Sequence, residues 1–188
     1  ITSKKSLVLL LTNLTTFSTT GYVATAVLFV GYIFFSNIKK SYKFILSVIL
    51  LVVVYYVGQL DFMTEKIAEQ SADDSTWSRF GAIAYHWNQI TQSPIIGFGP
   101  FLSNVFGDEL FSPNGLTDLM RYYGIPLSIV FYYLLYRGTK VYVGNSHKGA
   151  NVCVFVSLLL LCFSQTITYS PFFMILYFFA FNTYTYDK

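Results

Sequence analysis

The 188-residue chain is 54% hydrophobic and 20% aromatic, with only 11% charged residues and a net charge of +3. Soluble domains carry roughly 25% charged residues, so this composition excludes an ordinary water-soluble enzyme and gives no sign of a nucleic-acid partner. It predicts an all-α, polytopic integral membrane helix bundle in which lipid is the solvent.

In chain order, the first apolar stretch covers residues 6–17 and runs into Thr15-Thr16-Phe17-Ser18-Thr19-Thr20-Gly21, residues that favour turns and caps. This interruption separates a first span from a second at residues 20–36; the other reading is one long tilted helix. Residues 43–60 form a third, near-continuous apolar segment. At about 1.5 Å per residue it covers most of a hydrocarbon core roughly 30 Å thick. Three more segments follow at residues 114–136, 150–164 and 171–185, about six in all. The last two form a hairpin across Ser164-Gln165-Thr166-Ile167-Thr168-Tyr169-Ser170-Pro171. Cys153 and Cys162 lie nine residues apart within one segment, where packing is expected and a disulfide is geometrically implausible. No His/Cys cluster has ligand spacing, so neither a metal nor another cofactor is expected.

Charge orients these segments. Lys4, Lys5, Lys39, Lys40, Lys43, Arg137, Lys140, Lys148 and Lys188 fall in short segments that the positive-inside rule places in the cytoplasm. With residues 61–121 outside, the inner side carries nine basic residues and one acid, Asp187, and the outer side three basic residues and eight acids. One topology thus satisfies every loop. The chain divides into residues 1–60 with three spans, an extracytoplasmic loop at 61–114, and residues 115–188 with three spans. It opens without Met and enters an apolar segment at once, from which a piece of a larger bundle is expected.

The outer loop carries the candidate chemistry. Residues 77–90 have an amphipathic helical pattern, with Phe80, Ile83, Ala84, Trp87 and Ile90 on one stripe, suited to the membrane interface. Arg79 and His86 are seven residues apart and project from the same side. Arginine there can clamp phosphate bidentately, and histidine can take a proton from an attacking hydroxyl. The alternatives are Arg79 paired with Asp73 or Asp74, and His86 in an ordinary polar contact. Ser93-Pro94-Ile95-Ile96-Gly97-Phe98-Gly99-Pro100 cannot continue the helix and brings backbone close to a ligand or a neighbouring helix. Beyond it, Asn114, Asp118 and Arg121 form one polar stripe at the mouth of a span. Such groups face a cavity or each other, so Asp118–Arg121 is either a structural pair or part of a substrate site.

The order of these elements resembles the O-antigen polymerase and O-antigen ligase (Wzy/WaaL-like) superfamily. The resemblance rests on the Ser/Thr turn, the basic turn after the second span, the outer Arg with Pro94-Ile95-Ile96-Gly97-Phe98-Gly99, and Pro113-Asn114-Gly115-Leu116 running into Gly124-Ile125-Pro126. It covers nearly the whole chain. It implies a multispanning glycosyltransferase of the cytoplasmic (inner) membrane with its active site on the extracytoplasmic side. The implied substrate is an undecaprenyl-diphosphate-linked oligosaccharide, used without nucleotide sugar or metal, with chain-length regulator and flippase proteins as partners beside the bilayer. Arg79 matches the arginine to which diphosphate binding is assigned. Thr19 stands where the family commonly has a second Arg. Many members carry His-Asn where this chain has Pro113-Asn114, which favours a polymerase over a ligase.

On this reading Arg79 and Arg121, the only arginines on the outer side, stabilise the departing diphosphate. Asn114 and Trp87 join them in holding substrate, Trp87 by stacking on a sugar face, while His86 or Asp118 accepts the hydroxyl proton. The alternatives are ligase-type transfer to another acceptor and a membrane transporter. A transporter would place ionisable residues near the bilayer midplane, whereas every charge here lies at or near a predicted interface.

Overall fold

The computed structural model describes residues 18–59, 79–99, 114–144 and 149–181, with isolated positions at 12, 61, 64, 65 and 68. Among the described residues run the helices α1 (Thr19–Phe35), α2 (Lys40–Gly58), α3 (Arg79–Ile90), α4 (Gly115–Val143), α5 (Ala150–Ser164) and α6 (Pro171–Phe179). The all-α expectation therefore holds among these residues. The first apolar segment, residues 6–17, lies almost wholly outside them.

Local chemistry explains the helix boundaries. The Ser18 hydroxyl accepts from the Gly21 N–H at 3.2 Å and starts α1, as an N-cap serine does. At the other end, Lys43 Nζ donates to the Phe34 carbonyl at 3.0 Å, placing a cation against the C-terminal end of the helix dipole. Asn114 caps α4 through its Oδ1, which accepts from the N–H groups of Leu116 and Thr117. Pro171 opens α6, where a missing N–H costs nothing.

The helices pack in the order α2, α1, α5, α4, with α3 and α6 both seated on α4. α1 and α5 run antiparallel through small residues. Gly31 lies so close to Cys153 that a Cβ added to it would sit 2.7 Å from the cysteine Cβ, and Ser157 Oγ donates to the Ala24 carbonyl at 3.1 Å. Leu135 of α4, Leu158 and Cys162 of α5, and Phe173, Leu176 and Tyr177 of α6 form the apolar core. Phe131 meets Tyr177 edge to face at 5.4 Å, a favoured aromatic arrangement. Both cysteines are free.

α4 is two helices meeting at a break. Gly124 has φ 75° and ψ 168°, a backbone region open essentially to glycine alone. Pro126 has no N–H to give to the preceding turn, and its ring crowds the carbonyl four residues back. The helix also extends to Val143, taking Arg137 and Lys140 onto it, where the sequence reading had a basic loop after residue 136.

The spanning segments need a correction. Among the described residues no helix is long and apolar enough to cross a membrane. α1, α5 and α6 have 17, 15 and 9 residues, against the ~20 needed for a hydrocarbon core. α4 has the length, but it is broken and carries Asp118, Arg121, Arg137 and Lys140. α2 begins three residues before the predicted segment, on Lys40, and Lys43 shortens its apolar part.

Candidate active site

α3 lies against the first half of α4, and the polar residues of both helices meet in that contact. Ala82, His86, Gln89 and Ile90 of α3 are buried, a face recurring every three or four residues. Opposite them, Asn114, Asp118 and Arg121 are buried on one stripe of α4, as their spacing predicted. The apolar stripe read for α3 divides instead: Ile90 turns inward, Ile83 is half-buried, and Ala84 and Trp87 face outward, with Trp87 56% exposed.

Arg121 is the centre of the contact. It is 2% exposed, and its NH2 donates to Asp118 Oδ1 at 2.6 Å while NH1 donates to Gln89 Oε1 at 3.2 Å. The guanidinium also lies 5.7 Å from the ring centroid of Tyr122, within cation–π range. A buried guanidinium gains from such paired acceptors. His86 Nδ1 and Thr117 Oγ1 form a second link between the helices at 2.7 Å. Burial first, and then the Arg121 charge, lower the His86 pKa from 6.5 to about 3. The imidazole is therefore neutral at ordinary pH and a weak acceptor for a hydroxyl proton, which argues against the general-base role read from its position.

A loop locks this arrangement from outside. Its residues 93–97 close on themselves through the Gly97 N–H to the Ser93 carbonyl and Ser93 Oγ to the Gly97 carbonyl. The loop then enters the break in α4. The Phe98 N–H donates to the Arg121 carbonyl at 3.0 Å and the Ile125 N–H to the Pro94 carbonyl at 2.8 Å. Gly97, at φ 70°, packs on Tyr122 and Gly124 backbone, and Gly124 on that of Ile95. The neighbour expected for this Gly/Pro segment is thus a helix, and it is the one that carries Asp118 and Arg121.

Residues 6–138 match a sequence model of the O-antigen ligase family, well over half of the 188 residues. The chain belongs to the O-antigen ligase family. No curated protein and no solved structure matches it. Membership in the O-antigen ligase family bears out the resemblance read from the sequence, and the match includes both sides of the α3–α4 contact. Glycosyl transfer in surface polysaccharide synthesis is the corresponding class of chemistry.

Of the six residues singled out from sequence, His86, Asn114, Asp118 and Arg121 come together here. Trp87 stands on the outward face of α3. Arg79 is the first residue of that helix, and its side chain lies outside the described set, as do Pro113 and the Asp73-Asp74 pair. Sequence reasoning missed Gln89 and Thr117. Gln89 follows His86 by three residues and Thr117 follows Asn114 by three, so both belong to faces already marked.

Proposed function

We propose that this chain is a membrane glycosyltransferase that polymerises undecaprenyl-diphosphate-linked oligosaccharide repeats into a surface polysaccharide outside the cytoplasmic membrane. The observation that carries this reading is the family match across the α3–α4 site, taken with Pro113-Asn114 at the position of a ligase-type His-Asn. A proline offers no imidazole, and His86, bonded to Thr117 and held neutral, does not replace it.

In the proposed reaction, an acceptor sugar hydroxyl attacks the anomeric carbon of the lipid-linked donor. A new C–O bond forms, the bond from that carbon to the diphosphate oxygen breaks, and its electron pair leaves with the lipid diphosphate. The hydroxyl proton passes to water or to the departing diphosphate, a good leaving group that makes a dedicated base unnecessary. Arg79 meets the diphosphate directly, whereas both terminal nitrogens of Arg121 donate to Asp118 and Gln89. Asp118 orients Arg121, and Trp87 offers an exposed ring to a sugar.

The bilayer is the proposed solvent of the helices. α2 has no buried residue along its described length, and it exposes Phe44, Ile45, Val48, Ile49, Leu51, Val52, Val53 and Val54. A helix that is apolar on every side needs a non-aqueous cover. Short helices fit a bilayer by thinning it locally and by extending lysine side chains to its surface. The threefold division at residues 60 and 114, with the loop outside, belongs to the same proposal.

The test is chain elongation by the full-length protein in lipid vesicles, supplied with a lipid-diphosphate oligosaccharide and no nucleotide sugar. A ladder of lengthened products from the wild type that vanishes in a folded Arg79→Ala variant is expected. No ladder from either protein would overturn polymerisation and bring forward transfer to another acceptor or transport.

A further inference from the structure

Arginine has only donors, so the atom of the Gln89 amide that faces Arg121 NH1 is the carbonyl oxygen, Oε1. The amide nitrogen is thereby fixed on the other arm. Gln89 is 2% exposed, and its Nε2 has no hydrogen-bond partner among the described residues. A buried donor left in this state forfeits a hydrogen bond it would make in water. A donor in this state takes an ordered water or a ligand atom as its partner.

We infer that Gln89 donates its Nε2–H to a phosphoryl oxygen of the lipid-diphosphate donor, and that Arg121 acts on the substrate through this amide. The inference rests on the reaction proposed above and adds a residue to it. Two features point to an anionic oxygen. Withdrawal of electron density at Oε1 by the guanidinium strengthens the N–H on the same amide, since hydrogen bonds in a chain polarise one another. A strengthened donor in a site of low dielectric is best matched by a charged acceptor. Arg121 thereby contributes positive potential without leaving its buried ion pair, and Asp118 holds it in register with the amide.

The decisive variant is Gln89→Glu. A carboxylate there still accepts from Arg121 NH1, so the α3–α4 contact is kept, but it has no hydrogen to give and repels phosphate. Gln89→Met removes both functions at nearly constant length. With the full-length protein in vesicles, elongation kinetics on the lipid-diphosphate oligosaccharide are read beside thermal melting of each variant. The expected result is a loss of kcat/KM in Gln89→Glu of roughly ten- to a hundredfold, with melting no lower than wild type. Gln89→Met should lose as much activity per folded molecule and melt lower as well. Wild-type elongation with unchanged kcat and KM in Gln89→Glu would overturn the inference, leaving Gln89 as a brace for Arg121. Absence of elongation in the wild type overturns the underlying reaction instead, and inhibition by inorganic pyrophosphate that weakens in neither variant counts against Gln89 alone.

Discussion

His86 shows how environment decides what a side chain can do. Its imidazole protonates near pH 6.5 when the chain is unfolded and only near pH 3 in the fold, because a second positive charge in a buried site beside Arg121 is unfavourable. The unfolded state therefore binds the extra proton between these values. Stability from this residue is fully present above pH 6.5 and is lost as the pH falls from 6.5 towards 3, with a limiting slope of about 1.4 kcal/mol per pH unit. Replacing His86 with Gln, which can still bond Thr117, should flatten this part of the acid limb in melts of detergent-solubilised protein. An unchanged limb would show that His86 is protonated in the fold. The stripe of Asn114, Asp118 and Arg121 was legible in the sequence because one helix supplies all three residues. Gln89 shares the face of His86, but nothing sets it apart from an ordinary polar residue until its partner, Arg121, 32 residues along the chain, is known.

At the level of elements, the break in α4 and the loop that fills it form one unit. A Cβ at Gly124 would collide with the Ile95 carbonyl and would hold a side chain in a glycine-only backbone region. Gly124→Ala should therefore destabilise the protein by about 2 kcal/mol or more, lowering its melting temperature. Gly58→Ala, at a helical position where the added carbon meets nothing within 4 Å, is the control and should melt no lower than the wild type. Equal effects would show that the loop yields freely. The sequence marked this loop as a place of close approach, since glycine and proline exclude a continuing helix. It could not say which element approached, because both clasping hydrogen bonds join backbone groups and leave no side-chain signature. Pro126 hinted at the break in α4, whereas the continuation of that helix through Arg137 and Lys140 was hidden by reading charge as loop.

For the whole molecule, helix content followed directly from the apolar segments, while helix length did not. The hydrophobic pattern reports which residues avoid water, but caps and breaks decide where a helix stops: Ser18 and Lys43 bound α1, and Gly124 divides α4. The proposed topology puts the turn between α1 and α2 inside and the loop after α3 outside. In a protein with Cys153 and Cys162 replaced by serine, a cysteine introduced at Asn37 should resist a membrane-impermeant thiol reagent in intact cells, and one at Gln92 should react. The reverse pattern would invert the orientation derived from Lys39, Lys40 and Lys43.

The interlocking of residues 93–98 with residues 121–125 has a consequence for recombination between members of the family. Each partner supplies a backbone group that the other has lost: Pro94 receives the N–H that the broken helix leaves over at Ile125, and Arg121 receives the N–H of Phe98. A chimera that exchanges the outer loop while keeping the native helix after it seats a foreign loop in this break and separates His86 from Thr117 and Gln89 from Arg121. The smallest transferable module of this site therefore runs from α3 through the break in α4, and donor specificity should travel with that module as a whole.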